Sequence, residues 1–130
     1  MLLARDGLLV FLGAGLGGVC RWLIGAGTLA LFRQTRFPAA TFVSNLAACA
    51  LIGLLAGLAL RSGGALGVPA RLFLVTGFCG GLSTMSAFGL ETVALLRRGD
   101  FFVAGTNVVL TLAVCCGAVW VLLRKFESLP

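Results

Sequence analysis

Histidine is absent from this chain, and acids are scarce: four Asp and Glu stand against ten Lys and Arg. Without histidine there is no side chain poised to move a proton at neutral pH and no imidazole to bind a metal. No two carboxylates are paired, no glycine loop cradles a phosphate, and no serine or cysteine stands beside a base. Nothing here supports an enzyme. The five cysteines are Cys20, Cys49, Cys79, Cys115 and Cys116. All lie in apolar runs and none has a CxxC partner, which argues against structural zinc and for small apolar packing. Charge is also short, at 11% of residues against roughly 25% in a soluble domain. The net charge of +6 forms no cluster beyond Arg97-Arg98 and Arg124-Lys125, so a nucleic-acid partner is not expected.

What is present is apolar. Hydrophobic residues make up 60% of the chain, and its 19 glycines are about twice the usual share. Glycine-rich apolar sequence is typical of membrane helices that pack closely. The chain reads as one all-α integral membrane domain over 1–130, in contact with the lipid bilayer throughout. Four runs are long enough to cross the hydrocarbon: 7–32, 39–60, 71–96 and 101–123. The first six residues are too short and too weakly basic for a separate signal region. The connections are short, so neighbouring spans are antiparallel, and no internal repeat is visible.

Four spans place both termini on one side. That side carries Arg5, Arg61, Arg71, Arg124 and Lys125; the other carries Arg33, Arg36, Arg97 and Arg98. Orientation follows the Lys and Arg excess in short loops, and five against four is almost none. Two readings stay open on charge alone. Either something else settles insertion, or the chain inserts both ways and two opposite-facing copies pair about an axis in the membrane plane. Gly13 and Gly17, and Gly53 and Gly57, form small-xxx-small pairs that suit close helix contact within or between subunits.

The third run is a poor helix where it reads Gly77-Phe78-Cys79-Gly80-Gly81-Leu82-Ser83-Thr84-Met85-Ser86-Ala87-Phe88. Each glycine costs about 1 kcal/mol relative to alanine. Ser83, Thr84 and Ser86 offer the backbone local alternatives. In lipid a freed backbone group has no water to turn to, so a break survives only where protein or a wet cavity surrounds it. The sequence therefore predicts a third helix broken mid-membrane, at a pathway or a site.

Other polar residues within the spans gather few in number. Asn45, with Thr41 one turn earlier on the same face, is either helix-to-helix glue or a donor facing a pore. Asn107, Thr111 and Cys115 fall at i, i+4 and i+8 and form one stripe, the pattern of a wetted track. Arg21 is the one basic residue deep in a span; it either snorkels, pairs with an acid, or faces a vestibule that attracts anions. Glu91 is the one acid well inside a span and is paired, protonated or at a vestibule edge. This inventory suits passage of a small ion or molecule.

Three stretches resemble the CrcB or Fluc fluoride channel family. Gly13-Ala14-Gly15-Leu16-Gly17-Gly18-Val19-Cys20-Arg21-Trp22 resembles its glycine-rich, Arg-aromatic opening. Thr41-Phe42-Val43-Ser44-Asn45 resembles its Thr-Leu-x-Val-Asn element. Gly77 to Phe88, followed by Glu91, resembles its Gly-Phe-x-Gly-Gly-x-Thr-Thr-Phe-Ser-Thr-Phe signature. The resemblance covers all four spans in order. It implies an antiparallel, dual-topology homodimer in the bacterial plasma or inner membrane, with two fluoride pores and a central structural sodium ion. By motif matching, backbone carbonyls of Gly80 and Ser83 from both copies would hold the sodium. The fluoride pathway would include Asn45, Thr41, Met85, Ser86, Phe88, Asn107, Thr111 and Cys115, with Arg21 in the vestibule.

The chain departs from the pattern at Met85, which replaces a phenylalanine, at Ser83 and Ala87, which replace threonines, and at Ala48 and Cys115. An aromatic ring edge carries partial positive charge and can meet a bare anion; a thioether sulfur does not do so in that way. The expected function is passive fluoride export that relieves toxicity. The alternatives are a small four-span multidrug exporter, which would need an acid in the first span where this chain has Arg21, and a non-transporting assembly subunit.

Overall fold

The computed structural model describes residues 2–33, 35–61 and 66–127. The centre of the second connection, 62–65, and the end of the chain, 128–130, lie outside the described residues, as do Met1 and Gln34. Four rods result, each long and apolar enough to span a bilayer. The first is α1 (Leu2–Leu31) and the second α2 (Ala39–Arg61). The third starts as α3 (Val68–Ala70), continues through a π-helical stretch (Arg71–Cys79) and a last α-turn, α4 (Gly80–Leu82), and resumes as α5 (Met85–Arg97). The fourth is α6 (Phe101–Glu127).

Helix is the only local structure that lets a lone segment satisfy its own backbone in hydrocarbon. That demand overrides the low helix propensity of the glycines in α1 and α2. Most of the helices are longer than the apolar runs that announce them. α1 begins at Leu2, so Arg5 and Asp6 are helical, and α6 continues through Arg124 and Lys125 to Glu127. Backbone hydrogen bonding carries the winding past the apolar edge into the polar interface.

Glycine decides which rods touch. A methyl group on Gly13 would collide with the Phe73 carbonyl, and one on Gly17 with the Phe78 carbonyl. Gly81 lies in the same way against the backbone of Ala14. α1 and the π-helical stretch therefore pack backbone to backbone. Gly53 meets Val119, and Gly57 meets the ring of Phe126, which fastens α2 to α6. Both small-xxx-small pairs are thus spent within one chain.

The apolar side chains mostly face outward, among them Phe11, Trp22, Leu29, Phe102 and Trp120. The seam inside is mixed. Leu55, Leu82, Phe88 and Leu95 share it with buried Thr41, Ser44, Asn107 and Thr111. Lipid is as apolar as leucine, so apolar side chains gain little by turning inward, whereas polar ones must find partners there.

At one end of the bundle the loops are tied together. Arg36 donates to Asp100 at 2.8 Å, joining the α1–α2 connection to the α5–α6 turn. That turn closes on Gly99, whose φ of +80° is the left-handed conformation that glycine adopts without strain.

Candidate functional site

The site is built around two extended residues. Ser83 (φ −82°, ψ 157°) and Thr84 (φ −152°, ψ 111°) interrupt the helical path between α4 and α5. A stop of this kind frees backbone groups, and side chains take them up. The Thr84 amide donates to Asn45 Oδ1 at 2.7 Å, and Asn45 Nδ2 donates back to the Thr84 carbonyl at 3.4 Å. Thr84 then caps α5, its Oγ1 accepting the Ala87 amide at 3.2 Å. Ser83 Oγ folds back on the Cys79 carbonyl at 2.9 Å.

This exchange has a consequence for two carbonyls. In a continuous helix the Thr84 amide would bond the Gly80 carbonyl and the Ala87 amide the Ser83 carbonyl. Both amides are instead held by side-chain oxygens. The carbonyls of Gly80 and Ser83, the two residues named by the family resemblance, are among those that lose a helical donor here. Gly80 is exposed on this chain and has open space where a side chain would stand.

A cleft of about 490 Å³ opens beside the interruption. Arg21, Thr41, Ser44, Thr84 and Ser86 line it, with Leu90 and small residues completing the wall. Arg21 is exposed to it and makes no ion pair among the described residues, so its charge is available to the cleft. Ser86 Oγ lies 3.2 Å from Thr84 Oγ1. Hydroxyls and a guanidinium therefore converge on one opening from α1, α2 and α5.

Two further polar chains run inward from there. Thr41 donates to Glu91 Oε1 at 2.8 Å, and Glu91 Oε2 is buried with no hydrogen-bond partner among the described residues. On the far side, Thr111 donates to Asn107 Oδ1 at 3.4 Å, Asn107 donates to Thr92 Oγ1 at 2.9 Å, and Thr92 donates to the Phe88 carbonyl at 2.7 Å. Asn107 is 1% exposed, and Thr111 and Cys115 are buried behind it. In the single chain this stripe faces the seam of α2, α5 and α6 and lines none of the cavities described. Phe88, at 8% exposed, packs inside, whereas Met85, three residues earlier, is 74% exposed on the outer face.

The structure thus brings Arg21, Thr41 and Ser86 into one cleft and sets Asn45 behind it as the clamp of the interruption. Phe88, Asn107, Thr111 and Cys115 share the interior. Met85 and Gly80 stand on the exposed side. Ser44 and Thr92 belong to the assembly and carried no signal of their own. Ser44 stands beside Asn45 and Thr92 beside Glu91, and the partners that give Thr92 its place lie on another helix or are backbone.

Residues 8–123 match the family described as CrcB-like protein, Camphor Resistance (CrcB). The chain belongs to this family. Its relatives within the CrcB family carry a consistent name. The chain is 43% identical over 114 residues to the fluoride-specific ion channel FluC of Paramagnetospirillum magneticum, covering 86% of this chain and 88% of that one. It is 43% identical over 107 residues to the FluC of Pyrococcus abyssi, covering 82% and 84%. It is 38% identical over 114 residues to the FluC of Coxiella burnetii, covering 87% and 90%. The resemblance that rested on three motifs extends over nearly the whole chain.

Proposed function

We propose that this chain is a fluoride-selective ion channel of the cell membrane, which lets fluoride leave the cell passively and so relieves its toxicity. The observation that carries this reading is the 43% identity to fluoride-specific channels over 86% of the chain. None of the relatives named above is a multidrug exporter or an enzyme.

Fluoride is small and strongly hydrated, so it must exchange water for donors along a narrow route. The Arg21 guanidinium raises the local anion concentration in the cleft. The hydroxyls of Thr84 and Ser86 replace part of the hydration shell, while Thr41, whose one hydroxyl proton is engaged by Glu91, lines the cleft wall. Asn45 has a second N–H beyond the one shared with Thr84, and it can be offered to the ion. The route continues past the edge of Phe88 to Asn107, Thr111 and Cys115. Glu91 accepts a hydrogen bond from the Thr41 hydroxyl and so sets which way that oxygen's lone pairs face. None of Asn45, Thr84, Ser86, Phe88, Asn107, Thr111 and Cys115 carries a fixed charge, which helps the ion leave.

The working unit in this reading is an antiparallel homodimer of dual topology, with the third span interrupted mid-membrane. Gly80 and Met85 lie exposed on one chain, as residues that meet a second copy would. A structural sodium ion fits the carbonyls of Gly80 and Ser83. Their helical donors are diverted, and unwound backbone at a half-helix C-terminus is a recurrent sodium ligand in membrane proteins. The ion would join two copies by sharing oxygen ligands.

The test is efflux from liposomes holding the purified protein, read by a fluoride electrode with chloride measured in parallel. Fast fluoride release with chloride retained is expected. Release of neither ion, from protein shown to be folded and inserted, would overturn the reading in favour of an assembly subunit.

A further inference from the structure

The outward face of α6 carries a furrow that the ion route does not use. Its volume is about 580 Å³, and Phe101, Phe102, Gly105, Val109, Leu110 and Ala113 line it. At 100° per residue this set points away from the buried stripe of Ala104, Asn107, Thr111 and Cys115. Gly105 is the floor: a side chain placed there would meet nothing within 4 Å. From Phe101 to Ala113 the furrow runs about 18 Å along the helix axis, at 1.5 Å per residue.

Arg97 and Arg98 close α5 at the end of the bundle where α6 begins, and both are exposed. Neither makes a side-chain hydrogen bond or ion pair among the described residues. Asp100, the acid nearest them in sequence, is already engaged by Arg36 at 2.8 Å. The Gly99 turn brings the arginine pair and the two phenylalanines to the same end of the bundle, since the Gly99 amide bonds Leu96 and the Asp100 amide bonds Leu95. Two unneutralised guanidiniums thus stand at the same end of the bundle as a furrow along α6 that is apolar but for Thr106. Basic residues at a helix end bind anionic lipid headgroups, and the guanidinium fork suits phosphate oxygens.

We infer that this face holds an anionic phospholipid, its phosphate on Arg97 and Arg98 and one acyl chain in the α6 furrow over Gly105. Charge selects this occupant. A second copy laid on the furrow would bring its own basic end or its neutral apolar span to the arginines, and neither neutralises them. The inference rests on the membrane-spanning fold alone and stands whether or not the chain conducts fluoride.

The experiment is native mass spectrometry of the full-length protein taken from nanodiscs of equal phosphatidylglycerol and phosphatidylcholine. The wild-type protein is expected to retain phosphatidylglycerol in preference. At about 1 kcal/mol for each basic residue near the surface, the Arg97→Gln/Arg98→Gln variant should lose that preference by about 30-fold. Gly105→Leu should lower retention of both lipids while leaving the headgroup preference of what remains. Both substitutions lie at exposed positions, and unchanged melting in detergent will verify the fold. Equal preference in the double variant and the wild type would overturn the site. So would a change from dimer to monomer in Gly105→Leu with lipid retention unaltered, which would make the furrow a contact between copies.

Discussion

The side-chain amide of Asn45 meets both backbone groups of Thr84, donating to one and accepting from the other. From the sequence, glue and pore donor stood as alternatives for this residue; the contacts place it as the clamp, and its remaining N–H is what the proposed route uses. Replacing it removes partners that lipid cannot supply. Asn45→Ala should destabilise the protein by about 1–3 kcal/mol, the cost of unpaired buried backbone groups, read by denaturation in detergent micelles. Fluoride efflux should fall with it. Phe88→Ile tests a different property. The side chain is buried, and a similar-sized aliphatic group should cost less than about 1.5 kcal/mol in packing. The ring edge is lost altogether, so fluoride flux in liposomes should drop by about tenfold or more, corresponding to ~1.4 kcal/mol at the barrier. Unchanged flux would take Phe88 off the route. Met85 was legible as a departure from the family pattern, but only the structure separates it from Phe88, one facing out and one in.

At the level of the elements, glycine acts in two opposite ways along α1. Gly17 and Gly18 are neighbours in sequence, yet a methyl group on Gly17 would strike the Phe78 carbonyl and one on Gly18 would meet open space. Gly17→Ala should therefore destabilise the protein by about 1–3 kcal/mol, because backbone cannot step aside as a side chain can. Gly18→Ala should be neutral or stabilise it by up to about 1 kcal/mol through helix propensity. Thermal unfolding of the two variants in the same detergent gives the comparison, and equal midpoints would contradict the packing described. The four long helices were legible because apolar length alone forces them. The π-helical winding of Arg71–Cys79 was not: nothing in Arg-Leu-Phe-Leu-Val-Thr-Gly-Phe-Cys distinguishes one helical pitch from another.

For the whole molecule the question is what joins two copies. The glycine pairs that hinted at helix association are consumed inside the chain, Gly13 and Gly17 against the third rod and Gly53 and Gly57 against α6. The proposed dimer must therefore rely on other surfaces, and the diverted carbonyls of Gly80 and Ser83 are the ones suited to a shared cation. Replacing sodium with a bulky organic cation from extraction onward is expected to lower the dimer fraction on size exclusion, with fluoride efflux falling in step. Dimer and activity that ignore sodium would remove the carbonyl site from the proposal.

Composition and hydropathy alone determined that this is a membrane protein of four helical spans, because nothing but a helix keeps so apolar a backbone satisfied. Ser83 and Thr84, the two residues with extended backbone, lie within the stretch of glycines and hydroxyls from Gly77 to Phe88. Only the tertiary structure decided what pairs with the backbone there. Asn45 and Thr84 are 39 residues apart, and Thr41 and Glu91 are 50 apart. Such pairings depend on how the helices turn about their own axes when glycine lets them close to contact. A sequence periodicity gives a residue's face, and packing alone gives the group that face meets.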